Sequence, residues 1–470
     1  MDNFSPVKVP GFTCGGIIMK VKQNTPTITI LGEKCSGKTS FACTLASPKA
    51  YKYLKLLSEG FLRSSVQERK FVYSSTLNDG IFVFVKFDDG MLNTYDFMTF
   101  IIKMYASVLV HYGVNFYMKT FEAELLDYLK HITCFDERTS NQFDLLTDDE
   151  QSIFYQSMLD FIINFTKTNR EAYIFSKVEK YCAEETKNKD KIVCVKELLS
   201  DFIEKSDCSK IFNSISELKK ILFNKFSKIF GCWGTNGDYY ACINFDSDSD
   251  SDTNFLINSL FGTNSSNSDF GKYASLENLC KDITYHVPMN KGIVELIKGD
   301  TRLMEIFSQD EDYNGYSLTL VDSNKTKGIE VNGPLILFNP LSQVNRTVLA
   351  EVQNTCSVKG PIFILNSMLD IFISECNSKN IDIFDLDIYA EYLSSDVLQE
   401  MLNERQRLVN DDLLKTELIR GCKDYVTVLP YSLKPLKELP EYSLLNTWTI
   451  ILNEYARYDS GRELSGMNLF

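Results

Sequence analysis

The chain has 470 residues, 44% of them hydrophobic, 24% charged and 13% aromatic, enough to bury the cores of two to four domains at about 100–200 residues each. A formal charge of −14 argues against general nucleic-acid binding or an anionic membrane surface, and 23 Gly with 11 Pro exclude a collagenous or Pro/Gly-rich disordered chain. No run of 18 apolar residues marks a membrane span, and the opening MDNFSPVKVPGFTC lacks the basic-then-apolar pattern of a secretory signal.

Thirteen cysteines are scattered without any Cys-x-x-Cys pair, and the three histidines, His111, His131 and His286, stand far apart. No zinc pattern can be assembled from them, so the expectation is free thiols in a reducing, cytoplasmic compartment. The charge is uneven. Residues 1–80 carry 11 Lys/Arg against 5 Asp/Glu, a balance of +6, which leaves −20 for the rest of the chain. Local anion binding near the N-terminus and a set of solvated helix faces both fit that asymmetry.

In chain order, Thr27–Leu31 (TITIL) is a β-branched run ended by Gly32 and reads as a strand. Residues 36–46 and 49–64 read as helices. Phe71–Thr76 and Ile81–Phe87 read as strands joined by a turn at Asp79-Gly80. From about 94 to 300 the texture becomes 3.6-periodic: FMTFIIKMYASVLVHY, FEAELLDYLKHI, QSIFYQSMLDFIINF and ELKKILFNKFSKIF each predict an amphipathic helix. Within it, Phe245–Phe255 (FDSDSDSDTNF) has the alternating Asp of a calcium loop, without its glycine or its Glu at the twelfth position, and reads as a solvated acidic loop. Strands return at Ser317–Val321, Leu335–Phe338, Pro361–Leu365 and Val426–Leu429, with helical patterns at 341–355, 395–421 and 441–458. Strands alternating with helices predict an α/β fold, a mostly parallel sheet with helices on both faces. Residues 1–90 and 310–470 form that domain, and 91–309 a mostly helical inserted domain.

The segment Gly32-Glu33-Lys34-Cys35-Ser36-Gly37-Lys38-Thr39, followed by Ser40, fits G-x-x-x-x-G-K-[ST] between a strand and a helix. Gly32 and Gly37 let the backbone turn its N–H groups inward on phosphate oxygens, and the following helix points its positive end at the same anion. Lys38 then neutralises the β- and γ-phosphates, and the Thr39 hydroxyl joins a Mg²⁺ shell. Asp322, ending the apolar run Leu318–Val321, is the candidate second metal ligand; an Asp opening a turn explains it equally well when it is taken alone. Cys35, between Lys34 and Lys38 at a helix start, is placed where a thiol pKa falls. An oxidation that blocks the loop and a small residue that simply fits are both consistent with it.

With these elements in order, the chain resembles the P-loop GTPase superfamily across about 250 residues. In that family a switch threonine, a D-x-x-G, an N-K-x-D and an S-A-K follow the phosphate loop in turn. The resemblance implies that Thr76, before strand 81–87, closes over the γ-phosphate, and that Asp322 is the third-strand aspartate. Asn366 and Asp370, after strand 361–365, would stand in the base-reading motif, one residue too widely spaced and without its Lys. Ser432 and Lys434 would stand in the S-A-K. The ligand implied is Mg²⁺ with GTP or ATP, and the protein a slow NTPase acting as a nucleotide-dependent switch. Arg69 or Arg346 could offset transition-state charge; no Gln or His follows Asp322 directly. The insertion would meet a protein partner. Two other readings stand beside this one: a non-hydrolysing scaffold that nucleotide stabilises, and an ATP-dependent regulator or phosphotransferase.

Overall fold

The computed structural model describes residues 25–32, 36–59, 68–132, 135, 137–233, 238–245, 275–309, 314–323, 330–340, 357–358, 360–367, 426–430 and 444–467. The chain divides into two units. Residues Met1–Lys86, Cys232–Ile257 and Lys281–Phe470 form one, and Phe87–Gly231 with Asn258–Cys280 the other. The first is the α/β unit. It takes in β-structure and helices between 232 and 309 that the sequence reading gave to the insertion.

The α/β unit opens with β1 (Thr27–Gly32), α1 (Lys38–Cys43), α2 (Pro48–Glu59), β2 (Arg69–Ser74) and β3 (Gly80–Phe87). After β4 (Gly231–Trp233) and β5 (Asp238–Asn244) come β6 (Cys280–Pro288), α10 (Lys291–Lys298) and α11 (Thr301–Phe307). The remainder is β7 (Ser317–Ser323), β8 (Glu330–Val331), β9 (Leu335–Pro340), β10 (Ser357–Val358), β11 (Ile362–Ser367), β12 (Val426–Pro430) and α12 (Leu444–Met467). Ten strands make one sheet in the order β12-β11-β9-β1-β7-β2-β6-β3-β5-β4, and β10 and β8 pair separately.

The sheet is mixed, with both parallel and antiparallel neighbours. Neighbours run parallel from β12 through β11, β9 and β1 to β7, but β2 is antiparallel to β7 and β3 to β5. The path of the chain explains β2. A single crossover helix returns a strand to its starting edge and gives a parallel neighbour. Here α1 carries the chain to the far edge, where the Ser47 amide donates to the Pro288 carbonyl at 2.7 Å. β2 then starts at the edge the chain had left, beside the end of β7: Arg69 faces Asp322 and Ser74 faces Ser317. The expected pairing of β2 with β3 across Asp79-Gly80 is also replaced, because β6 lies between them. Gly80 instead starts β3 tight against β5, where a Cβ would come within 2.5 Å of the Ile243 carbonyl oxygen. The central strands are apolar and buried: Ile28, Ile30, Leu318, Leu320, Ile336 and Ile362 are all fully shielded.

The second unit contains the described helices α3 (Thr94–Tyr112), α4 (Glu122–His131), α5 (Glu137–Phe143), α6 (Asp148–Asn169), α7 (Tyr173–Ala183), α8 (Asn188–Glu204) and α9 (Ser209–Ile229). The periodic segments at 97–112, 121–132, 151–165 and 217–230 lie in α3, α4, α6 and α9. Thr147 caps α6 with Glu150 in a reciprocal capping box, the arrangement expected when a Thr is followed by a Glu three residues on. That Glu150 carboxylate also accepts from Lys225 at 2.6 Å, and the buried Lys225 ammonium donates to the Leu145 carbonyl at 3.0 Å. The helical patterns at 341–355 (with Arg346) and 395–421, and the acidic tract beyond Phe245, lie outside the described residues.

Candidate phosphate site

Five parallel strands present their C-terminal ends at one edge of the sheet, the edge at which open α/β sheets bind ligands. β1 ends there at Gly32, β7 at Asp322-Ser323, β9 at Pro340, β11 at Ser367 and β12 at Pro430. Glu33, Lys34 and Cys35 lie outside the described residues. On either side of them, Gly32 and Gly37 fix how the chain leaves β1 and enters α1. Gly37 takes φ 94°, ψ 6° as the residue before the helix, a left-handed conformation that glycine adopts without steric cost. Gly32 packs so closely on β9 that a Cβ would sit 2.8 Å from the Phe338 Cβ.

Helix α1 has six residues, under two turns at about 3.6 per turn, so positive charge at this edge comes chiefly from Lys38. Its side chain is buried, and its ammonium donates to the Gly32 carbonyl at 2.8 Å, spanning the loop. The Thr39 hydroxyl donates to the Asp322 carboxylate at 2.6 Å. Asp322 is 5% exposed. It reaches Thr39 because β1 and β7 are adjacent and parallel, with Ile30 level with Asp322. Residues 283 positions apart, singled out separately as metal ligands, thus share one hydrogen bond. Ser36 is buried; Ser40 is half-exposed on α1.

Arg69 stands directly opposite Asp322 in the β2–β7 pair, which puts the two side chains on the same face of the sheet. Both are buried. The thiol of Cys43 feels both: burial first, and the Asp322 carboxylate second, push it far above the ordinary thiol range, while Arg69 pulls it down. Cys43 is therefore a protonated, inert packing group at neutral pH.

Thr76 is placed elsewhere, which corrects the expectation that it closes over a γ-phosphate. From Arg69–Asp322 to Ser74–Ser317 the register advances five residues, about 17 Å along a strand, and Thr76 lies beyond that. It belongs to the opposite edge, where its hydroxyl lies 2.9 Å from that of Ser74, which accepts from Gln309 at 3.0 Å. The physical reason is the direction of β2: its start, not its end, lies at the edge where β1 and β7 end. Asn366 stands near the end of β11, level with Asn339 and Pro430. Asp370, Ser432 and Lys434 lie outside the described residues.

No protein-family model matches the chain, and no curated protein matches it. No group of three or more His, Cys, Asp or Glu among the described residues could hold a metal, and none of the described helices is long and apolar enough to cross a membrane. The donor set that is present, one buried carboxylate and one hydroxyl, suits Mg²⁺. That ion prefers hard oxygen ligands and takes one or two carboxylates, with phosphate oxygens and water completing its octahedron.

Sequence reasoning missed the packing behind the loop. The Tyr73 hydroxyl donates to the Ala42 carbonyl and ties the end of α1 to β2. Phe41 stacks on Trp448 of α12 at 4.5 Å and meets Phe338 edge-on at 5.3 Å. The available signal was compositional: Trp448 is one of only two tryptophans in the chain, and it lies on the apolar face of a periodic segment.

Proposed function

We propose that this protein binds a nucleoside triphosphate with Mg²⁺ at the edge formed by Gly32, Lys38, Thr39 and Asp322, and acts as a P-loop, GTPase-like nucleotide-dependent switch with slow turnover. The observation that carries the reading is the Thr39–Asp322 hydrogen bond. It joins the final residue of the phosphate-loop pattern to a carboxylate from the neighbouring strand, the pair of ligands such a site requires. The metal, when bound, supplies positive charge to the β- and γ-phosphate oxygens.

The chain's own groups do the rest. The Lys38 ammonium leaves the Gly32 carbonyl and pairs with the terminal phosphates, exchanging a neutral acceptor for an anionic one. The Thr39 hydroxyl and the Asp322 carboxylate would hold the cation. Arg69, fixed on the same face as Asp322, adds positive charge at this edge. Turnover is slow because neither Gln nor His follows Asp322 and Thr76 belongs to the other edge, so little orients a water for attack. The base is read at the ends of β11 and β12, where Asn366 stands. The helical unit is the surface for a protein partner.

Calorimetric titration with GTP and with ATP, each with and without Mg²⁺, tests this reading. A metal-dependent affinity for one of them that Lys38→Ala removes supports it. Equal, negligible heats for both nucleotides in the folded wild-type protein refute it. Phosphate release measured on the same samples separates a slow hydrolase from a non-hydrolysing scaffold.

A further inference from the structure

We infer that α12 is a conformational sensor of the phosphate site: it docks on the helix that carries Lys38 and Thr39, and nucleotide occupancy and α12 docking strengthen each other. The inference rests on the nucleotide reading above and adds a regulatory element to it.

Phe41 lies three residues after Lys38 on the same short helix. One of its faces stacks on the fully buried Trp448 ring, at 4.5 Å with 19° between the planes. Phe338, at 5.3 Å from Phe41, is the residue against which Gly32 packs. A continuous line of contacts therefore runs from the loop glycine through Phe338 and Phe41 to α12. The polar atom of Trp448 is committed to the same helix end: its indole N–H donates to the Thr44 hydroxyl at 3.1 Å, and that hydroxyl donates to the Phe41 carbonyl at 2.5 Å. Further along α12, Tyr455 meets Phe307 of α11 at 5.8 Å.

A six-residue helix cannot hold itself together in water, so the position of α1 is set by what it packs on, and Trp448 is the largest fully buried side chain there. Drawing Lys38 away from the Gly32 carbonyl and onto a phosphate shifts α1, and the rigid Phe41–Trp448 stack transmits the shift. Linkage then requires reciprocity: the factor by which docked α12 raises nucleotide affinity equals the factor by which bound nucleotide favours α12 docking, so weakening the docking lowers nucleotide affinity by up to that factor.

The test uses the full chain. Trp233→Phe leaves Trp448 as the single tryptophan, and its emission and acrylamide quenching are followed while Mg·GTP and Mg·ATP are titrated, with calorimetry on the same protein. The expected result is a Trp448 signal that saturates together with the calorimetric heat. In an otherwise unaltered chain, Trp448→Phe, which keeps a ring but loses the N–H, and Thr44→Val, which removes its acceptor, each lower affinity about 3- to 10-fold with helix content unchanged. Heat of binding with a silent Trp448, or unchanged affinity in both variants, overturns the inference and leaves the nucleotide reading intact. No heat with either nucleotide overturns both.

Discussion

Thr39→Val is the perturbation that bears most sharply on the candidate site, because it removes one hydroxyl and keeps the shape of the side chain. That hydroxyl donates at 2.6 Å to a carboxylate only 5% exposed, where water cannot readily replace it. A hydrogen bond to a charged group contributes about 1.5–3 kcal/mol, so Thr39→Val should destabilise the α/β unit by about 2 kcal/mol. Asp322→Asn keeps an acceptor for Thr39 and loses only the charge, at a cost of about 1 kcal/mol. The double variant should then fall short of the sum by about 1 kcal/mol, since the two substitutions remove one shared interaction. Urea unfolding followed by tryptophan emission reads this unit selectively, because Trp233 and Trp448 both belong to it. With a slope of about 3 kcal/mol/M, the Thr39→Val midpoint should drop by about 0.7 M. Strict additivity, or an unmoved midpoint in Thr39→Val, would refute the claim that these residues are joined.

Three other predictions follow from the geometry. Lys225→Met leaves the Glu150 carboxylate without its ammonium partner at 2.6 Å and should cost the helical unit about 2 kcal/mol, read as an earlier loss of far-UV ellipticity on heating; an unshifted curve contradicts it. Burial depresses the His286 imidazole to about 4 from an ordinary 6.5. The unfolded chain therefore binds more protons between those values, and stability falls as pH drops from 6.5 towards 4, by at most on the order of 3 kcal/mol. His286→Gln should flatten the urea midpoint against pH across that window, and an unchanged slope would assign the acid sensitivity to other groups. Thr76→Ala should leave nucleotide affinity within twofold, given its place at the far edge; a tenfold loss in a calorimetric titration would return Thr76 to the site.

What the sequence disclosed and what it hid divide along physical lines. The Gly32–Thr39 pattern was legible because phosphate-binding chemistry calls for glycines, a lysine and a hydroxyl at set spacings within eight residues. Asp322 was legible because an acidic residue ends an apolar run, although only adjacency of β1 and β7 makes that informative. The amphipathic helices from 97 to 230 announced themselves by period. Strand order was hidden, because pairing is a long-range choice: nothing in CKDITYHVP says that β6 lies between β2 and β3. The direction of β2 was hidden too, and with it went the role proposed for Thr76, while Arg69, at the other end of the same strand, came to face Asp322. The Phe338–Phe41–Trp448 line draws on three distant segments, and each residue alone looks like ordinary core.

The central claim is that the backbone from Gly32 to Phe41 encloses a chain of phosphates. Hydrogen–deuterium exchange on peptides spanning 32–45, with and without Mg²⁺ and inorganic triphosphate, probes that enclosure without involving a base. Slowed exchange confined to those peptides, and abolished by Lys38→Ala, is the predicted result. Exchange that stays unchanged at saturating triphosphate, and at saturating GTP and ATP, would contradict the account.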